Sequence, residues 1–129
     1  MTYYQEKIDE IRAKCFSNEK QLETVIAMRH FIDNNYASEI NLDLLSHVGF
    51  TSKYHLHRLF KRYYGLTPNQ YLVDKRIEKA KINLTEGLSV TETCFAVGFE
   101  SLGSFSKLFK SRIGLSPNNY QKEQLSRSN

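Results

Sequence analysis

Apolar residues recur along this chain at intervals of three and four, and no stretch alternates apolar with polar in the manner of a paired strand. The pattern predicts an all-α protein. A first helix is expected from about Tyr4 to Cys15, with Tyr4, Ile8, Ile11 and Cys15 on one narrow stripe of coiled-coil-like spacing. Ser17 and Asn18 are cap-forming residues, so a second helix carrying Leu22, Val25, Ile26, Arg29 and Phe31 is expected to about Asn35. After a polar connection over 36–41, Leu42, Leu45 and Val48 mark a brief helix that ends near Gly49.

Thr51 or Ser52 caps the next helix, which places Leu56, Leu59, Phe60 and Tyr63 inward and Lys53, His57, Lys61 and Arg62 outward before Gly65 stops it. Thr67 and Pro68 then open a long helix to about Leu84, with Tyr71, Leu72, Ile77, Ala80 and Leu84 as its apolar set. Beyond the break at Thr85-Glu86-Gly87, Ser89 caps a helix to about Val97 and Ser101 one to about Ile113. Gly114 ends the latter, and Ser116-Pro117 starts a last short helix past Tyr120.

The two halves repeat. Phe60-Lys61, Gly65-Leu66, Pro68-Asn69 and Tyr71 recur as Phe109-Lys110, Gly114-Leu115, Pro117-Asn118 and Tyr120, each at an offset of 49. Ser52, Arg58 and Leu59 find Ser101, Lys107 and Leu108 at the same offset, whereas Leu42 meets Val90 at 48, so one turn is expected to be a residue longer. Each copy reads as a short helix, a tight turn, a longer helix, a glycine stop and a helix opened by proline. A short and a longer helix joined by a tight turn make a helix-turn-helix, whose second helix suits a major groove about 12 Å wide. An α-solenoid is the other architecture with such a period, but two copies fall short of the three or more that a solenoid needs.

Composition adds a mild bias. Eighteen Lys and Arg against fourteen Asp and Glu leave a net charge of +4 and a pI near 9.1, which suits a polyanionic partner without requiring one. The two cysteines, Cys15 and Cys94, have no CxxC spacing, and His30, His47 and His55 show no ligand spacing, so neither a metal nor another cofactor is expected. No paired His and acid, phosphate loop or G-x-S-x-G elbow appears, so no enzyme is expected. The N-terminus lacks a basic start followed by an apolar run, and no apolar stretch approaches ~18 residues, so a cytoplasmic chain with no membrane partner is expected.

The run from Phe60 through Arg62, Gly65 and Pro68, then Arg76 and Ala80, and above all Val97-Gly98-Phe99-Glu100-Ser101, Phe105-Ser106, Phe109-Lys110, Gly114-Leu115-Ser116-Pro117 and Tyr120, resembles the AraC/XylS family of transcription regulators. The resemblance covers about residues 22–121 and leaves the N-terminal helix outside. It implies two homeodomain-like helix-turn-helix subdomains joined by a linker helix, both readers facing one side of double-stranded operator DNA, with centres about 34 Å apart. The corresponding division is an extra helix at 1–17, a first subdomain at 18–67, the linker at 68–86 and a second subdomain at 87–129.

Carried over by position, the resemblance implies base-reading by Lys53, Tyr54, His57 and Arg58 in the first unit and by Leu102, Gly103, Ser104, Ser106 and Lys107 in the second. Arg58 suits guanine O6 and N7, His57 an acceptor edge, and the Tyr54 ring a thymine methyl. The second set is poorer in hydrogen-bonding groups, although Gly103 permits close backbone approach. Lys61, Arg62, Lys110 and Arg112 follow the readers and suit phosphates, as do Ser52 and Ser101 at helix N-termini. Arg76 is open between packing on a carboxylate and touching DNA. Ser46 stands where many family members have alanine and Phe50 where many have glycine. Cys94 reads as a small packing residue, and Phe99, Phe105 and Phe109 as core.

A module that binds protein through the Tyr4, Ile8, Ile11, Cys15 stripe is the alternative function; the stripe is otherwise expected to pack on the domain's own first helices. RNA polymerase is a second candidate partner, and the expected state is a monomer or weak dimer. About 20 residues precede the repeat, too few for a ligand pocket, so either abundance sets the activity or the chain is a piece of something longer.

Overall fold

The computed structural model describes residues 2–49 and 52–127, with side chains at all of these except 12–18, 48 and 49. Among the described residues there are seven helices: α1 (Tyr3–Asn35), α2 (Leu42–Gly49), α3 (Lys53–Tyr64), α4 (Pro68–Thr85), α5 (Val90–Ala96), α6 (Leu102–Ile113) and α7 (Pro117–Arg127). No strand occurs among the described residues. The all-α expectation is met, and α7 runs on well past Tyr120 to Arg127.

The expected break between two N-terminal helices is absent. Residues 3–35 form one helix, because Ser17 and Asn18 cost well under 1 kcal/mol each inside a helix and neither Gly nor Pro interrupts the run. Its inward face is made by Val25, Met28 and Ile32, which are buried, while Leu22 and Ile26 stay exposed and Arg29 and Phe31 are half-buried. Tyr4, Ile8 and Ile11 are exposed at 79%, 40% and 59%, so the stripe does not pack on the domain's own helices; the Cys15 side chain lies outside the described residues.

The chain divides into two compact units, residues 1–31 with 41–68 and residues 32–40 with 69–129. In the first, α2 packs on α3, and Leu45, Leu56, Leu59, Phe60 and Pro68 are buried. Phe60 lies against Tyr64, with ring centroids 4.8 Å apart, and the Arg29 guanidinium lies 5.7 Å from the Tyr64 centroid. Leu42 is half-buried, while Val48, Phe50 and Thr51 lie outside what can be described of side chain or structure.

The second unit has a continuous core of Ile77, Ala80, Leu84, Cys94, Val97, Phe99, Phe105 and Phe109. Phe99, Phe105, Phe109 and Tyr120 form an aromatic chain with successive centroids 5.2, 5.7 and 5.4 Å apart, which fastens α6 to α7 and to the turn before α6. Cys94 is fully buried; burial pushes its thiol up and keeps it protonated and inert. Gln121 Nε2 donates to the Leu84 and Leu88 carbonyls, tying α7 to the end of α4.

Caps repeat with the helices. Ser52 Oγ accepts from the His55 N–H at 3.1 Å, and Ser101 Oγ from the Ser104 N–H at 3.2 Å. Ser89 Oγ accepts from Glu92 N–H, and Asn41 Oδ1 performs the same task for α2 through Leu44 N–H, within the connection expected to be irregular. Gly65 (φ 73°) and Gly114 (φ 90°) close α3 and α6 in the left-handed conformation, each returning its N–H to the fourth residue back, Lys61 and Lys110.

Gly98 is under a different constraint. Its φ is +102°, and a Cβ there would lie 2.9 Å from the Tyr36 carbonyl oxygen and 3.0 Å from both the Ala37 carbonyl oxygen and Arg76 Nε. A Cβ on Gly114 would meet nothing within 4 Å. In urea unfolding, Gly114→Ala is therefore expected to lose about 1–2 kcal/mol through backbone strain alone, and Gly98→Ala about 3 kcal/mol or more through strain plus collision. Equal losses at the two positions would contradict this packing.

Candidate nucleic-acid interface

Helices α3 and α6 together carry seven of the eighteen Lys and Arg and none of the fourteen acids. Neither has a carboxylate in its first turn to cancel the positive end of the helix dipole. Each cap hydroxyl, Ser52 and Ser101, spends an acceptor lone pair on its own helix and keeps its O–H free to donate outward. Two surfaces with donors at the N-terminus and cations along the flank suit phosphate and base acceptors rather than a cation or a metal. Among the described residues no group of His, Cys, Asp and Glu is arranged to hold a metal ion, and no helix is long and apolar enough to cross a membrane.

On α3, Lys53, Tyr54 and Arg58 are exposed and His57 is half-buried. Tyr54 is 76% exposed, so its ring faces solvent. The Arg58 guanidinium lies 5.5 Å from the Tyr54 ring centroid, so the two side chains form one outward-facing pair, with the ring holding the cation. Lys61 and Arg62 are exposed on the last turn. Gln21 from α1 and His55 join His57, Arg58, Lys61 and Arg62 around a shallow cleft, and the Gln21 Oε1 is buried without a hydrogen-bond partner. Neither Gln21 nor His55 stood out in the sequence: the repeat has no reach into α1, and His55 was weighed only as a metal ligand.

Lys53 is not free. Its Nζ is 2.8 Å from Asp43 Oδ1 on the first turn of α2. The hydrogen bond and charge of Lys53 hold the Asp43 carboxyl below its ordinary value, with His47 adding in the same direction. Lys53 reaches any other acceptor only by breaking or sharing this contact.

On α6, Leu102 is 40% exposed, Gly103, Ser104 and Lys107 are exposed, and Ser106 is half-buried. No atom lies within 4 Å of where a Gly103 Cβ would be, so nothing inside the fold asks for glycine there. Lys110 is exposed, but Arg112 Nε donates to Asp74 Oδ1 on α4 at 2.8 Å and is already half neutralised. Glu100, exposed and adjacent to Ser101, puts a negative charge beside the α6 N-terminus. The second surface is therefore weaker in charge as well as in hydrogen-bonding groups.

Arg76 makes its hydrogen bonds to backbone carbonyls. Nε donates to the Tyr36 carbonyl at 2.7 Å and Nη2 to the Ser38 carbonyl at 2.8 Å, with the guanidinium 5.7 Å from the Phe99 centroid. It fastens the segment after α1 to α4 and to the turn before α6. Ser46, at the position where alanine is common, is half-buried and donates its hydroxyl to the Asp43 carbonyl.

The family model described as a helix-turn-helix domain matches residues 45–123, the span that contains both surfaces. The chain belongs to the AraC-type helix-turn-helix family of DNA-binding domains. This AraC-type domain is 38% identical over 65 residues to the uncharacterized HTH-type transcriptional regulator YbfI of Bacillus subtilis, a match that covers 50% of this chain and 24% of the relative. Among solved structures it is similar to the C-terminal domain of the two-component response regulator yesN from Fusobacterium nucleatum, at 32% identity and a TM-score of 0.70, covering 74% of this chain and 94% of that one. It also shares the fold of the DNA-binding domain of AdpA, solved in complex with a target DNA, at 23% identity and a TM-score of 0.76, covering 80% and 94% of the two chains. The matches span 24–32% of the lengths of the curated relatives.

The Lys53–Asp43 pair makes a pH-dependent prediction. The contribution of a depressed carboxyl is fully present above its unfolded value, about 3.9, and is lost as pH falls through the lower folded value. An NMR titration of the Asp43 carboxyl should thus give a midpoint below the ordinary aspartate value, returning toward it in Lys53→Ala. A midpoint unmoved by that substitution would remove the pair.

Proposed function

We propose that this AraC-type domain is the operator-binding part of a bacterial transcription regulator, with α3 and α6 each entering a major-groove segment of duplex DNA in the cytoplasm. The observation that carries the reading is the segregation of charge: two helix-turn-helix second helices rich in cations and empty of acids, in a chain that is otherwise nearly balanced. The AdpA domain, held on its target DNA in a like fold, supports it.

The two readers have unequal tasks. In α3, Arg58 offers a bidentate fork braced by Tyr54, His57 a further donor, and Lys53 a cation released from Asp43, so base choice is concentrated there. In α6, Leu102 supplies apolar contact, Gly103 close approach, Ser104 and Ser106 short polar groups, and Lys107 a cation with phosphate reach. Ser52, Ser101, Lys61, Arg62, Lys110 and Arg112 set the register on the sugar-phosphate backbone, with Arg112 first exchanging Asp74 for phosphate.

Binding to a duplex selected from random sequence tests the assignment. Arg58→Ala should weaken it by about 1–3 kcal/mol, roughly tenfold or more, and relax preference at one base pair. Lys61→Ala should instead weaken selected and unrelated duplexes alike and reduce the slope of log affinity against log salt by about 1. An Arg58→Ala variant that binds the selected duplex as tightly as wild type would refute the assignment of α3.

A further inference from the structure

Helix α1 carries apolar residues on two different faces. Val25, Met28 and Ile32 are buried, whereas Tyr4, Ile8, Ile11, Leu22 and Ile26 are all exposed, between 38% and 79%. At 3.6 residues per turn the exposed set falls on one stripe, roughly 100° around the helix from the buried set and about 33 Å long. The stripe is therefore not a frayed continuation of the core face; it is a second face that runs past the point where α1 joins its own unit. A monomer has no use for an apolar row of this length in water.

We propose that this stripe is the contact between two copies of the chain, packed antiparallel along α1. The stripe is nearly its own mirror about position 15: Tyr4 and Ile26 lie eleven residues to either side, and Ile8 and Leu22 seven. A twofold contact needs such self-complementarity, because residue i must meet j while j meets i. In an antiparallel pair Tyr4 faces Ile26 and Ile8 faces Leu22, twice each.

Positions 4–26 make about three heptads of seam, the lower limit for a two-stranded helix pair, so the dimer is a weak one.

Sedimentation equilibrium of the 129-residue chain without DNA tests the contact. Wild type should show a reversible dimer, and Ile8→Lys and Leu22→Glu should each weaken it more than tenfold while leaving the helical melting curve in place. Mixing the two variants should restore association, since Lys at 8 then meets Glu at 22. A wild-type chain that stays monomeric to about 1 mM, a dimer indifferent to Ile8→Lys, or a mixture that fails to associate would each overturn the proposal, the last pointing to a parallel pair or a different partner. Because position 8 is remote in sequence from α3 and α6, the Ile8→Lys chain should keep its salt-dependent affinity for duplex DNA; the dimer proposal and the DNA-binding reading therefore fail separately.

Discussion

Much of the second unit depends on where one guanidinium places its protons. Arg76, half-buried on α4, satisfies the carbonyls of Tyr36 and Ser38, and its Nε lies 3.0 Å from where a Cβ on Gly98 would be. Burial lowers the affinity of Arg76 for its proton, and Glu100 offsets part of that. The group stays charged, and its two hydrogen bonds are of the charge-assisted kind. Around this point the end of α1, the middle of α4 and the turn before α6 are brought together. Tyr71 adds a second tie by donating its hydroxyl to Asp33 at 2.6 Å. With the turn held, Phe99 can pack on Phe105, and the inner side of α6 is fixed; its outer side is then free to be polar, small and basic.

The two surfaces proposed to read DNA are built from the same plan and differ in what they offer. Both start at a serine cap, bury an aromatic at equivalent positions, Phe60 and Phe109, and end at a left-handed glycine. On α3 the outward residues are long, cationic and braced: Lys53 by Asp43, Arg58 by Tyr54, Arg62 over Tyr63 at 5.8 Å. Bracing matters because an ordered fork loses less freedom when it meets a base edge. On α6 the outward residues of the first turn, Leu102, Gly103 and Ser104, are short or apolar, Arg112 is occupied by Asp74, and Glu100 sits at the helix entrance. Electrostatics and hydrogen-bonding capacity both support the proposal of base choice in the first unit and grip in the second.

The repeat makes most of this legible in the sequence. An offset of 49 predicts both serine caps, both glycine stops and both buried aromatics, because each is a local requirement written in one residue type. What failed was less local. Ser17 and Asn18 signal a helix start only when the chain arrives from outside a helix; inside α1 they are tolerated. The inward face of α1 has no separate mark in the sequence because two apolar faces on one helix blur into a single broad one, and burial alone separates Val25 and Met28 from Leu22 and Ile26. The sequence leaves Arg76 open between a carboxylate and DNA, whereas its hydrogen-bond partners are backbone carbonyls, which leave no mark in a sequence. The Asp43 and Asp74 contacts, each between helices, were invisible for the same reason that residue pairs far apart in a chain usually are.

The unequal division of labour between α3 and α6 is the central claim, and selection of bound sequences from a pool of random duplexes tests it most directly. The account predicts one strongly defined box that loses definition in Arg58→Ala, beside a second box of weak preference that Ser104→Ala barely alters. Two boxes of equal definition, or a stronger one that responds to α6 and ignores Arg58, would contradict it.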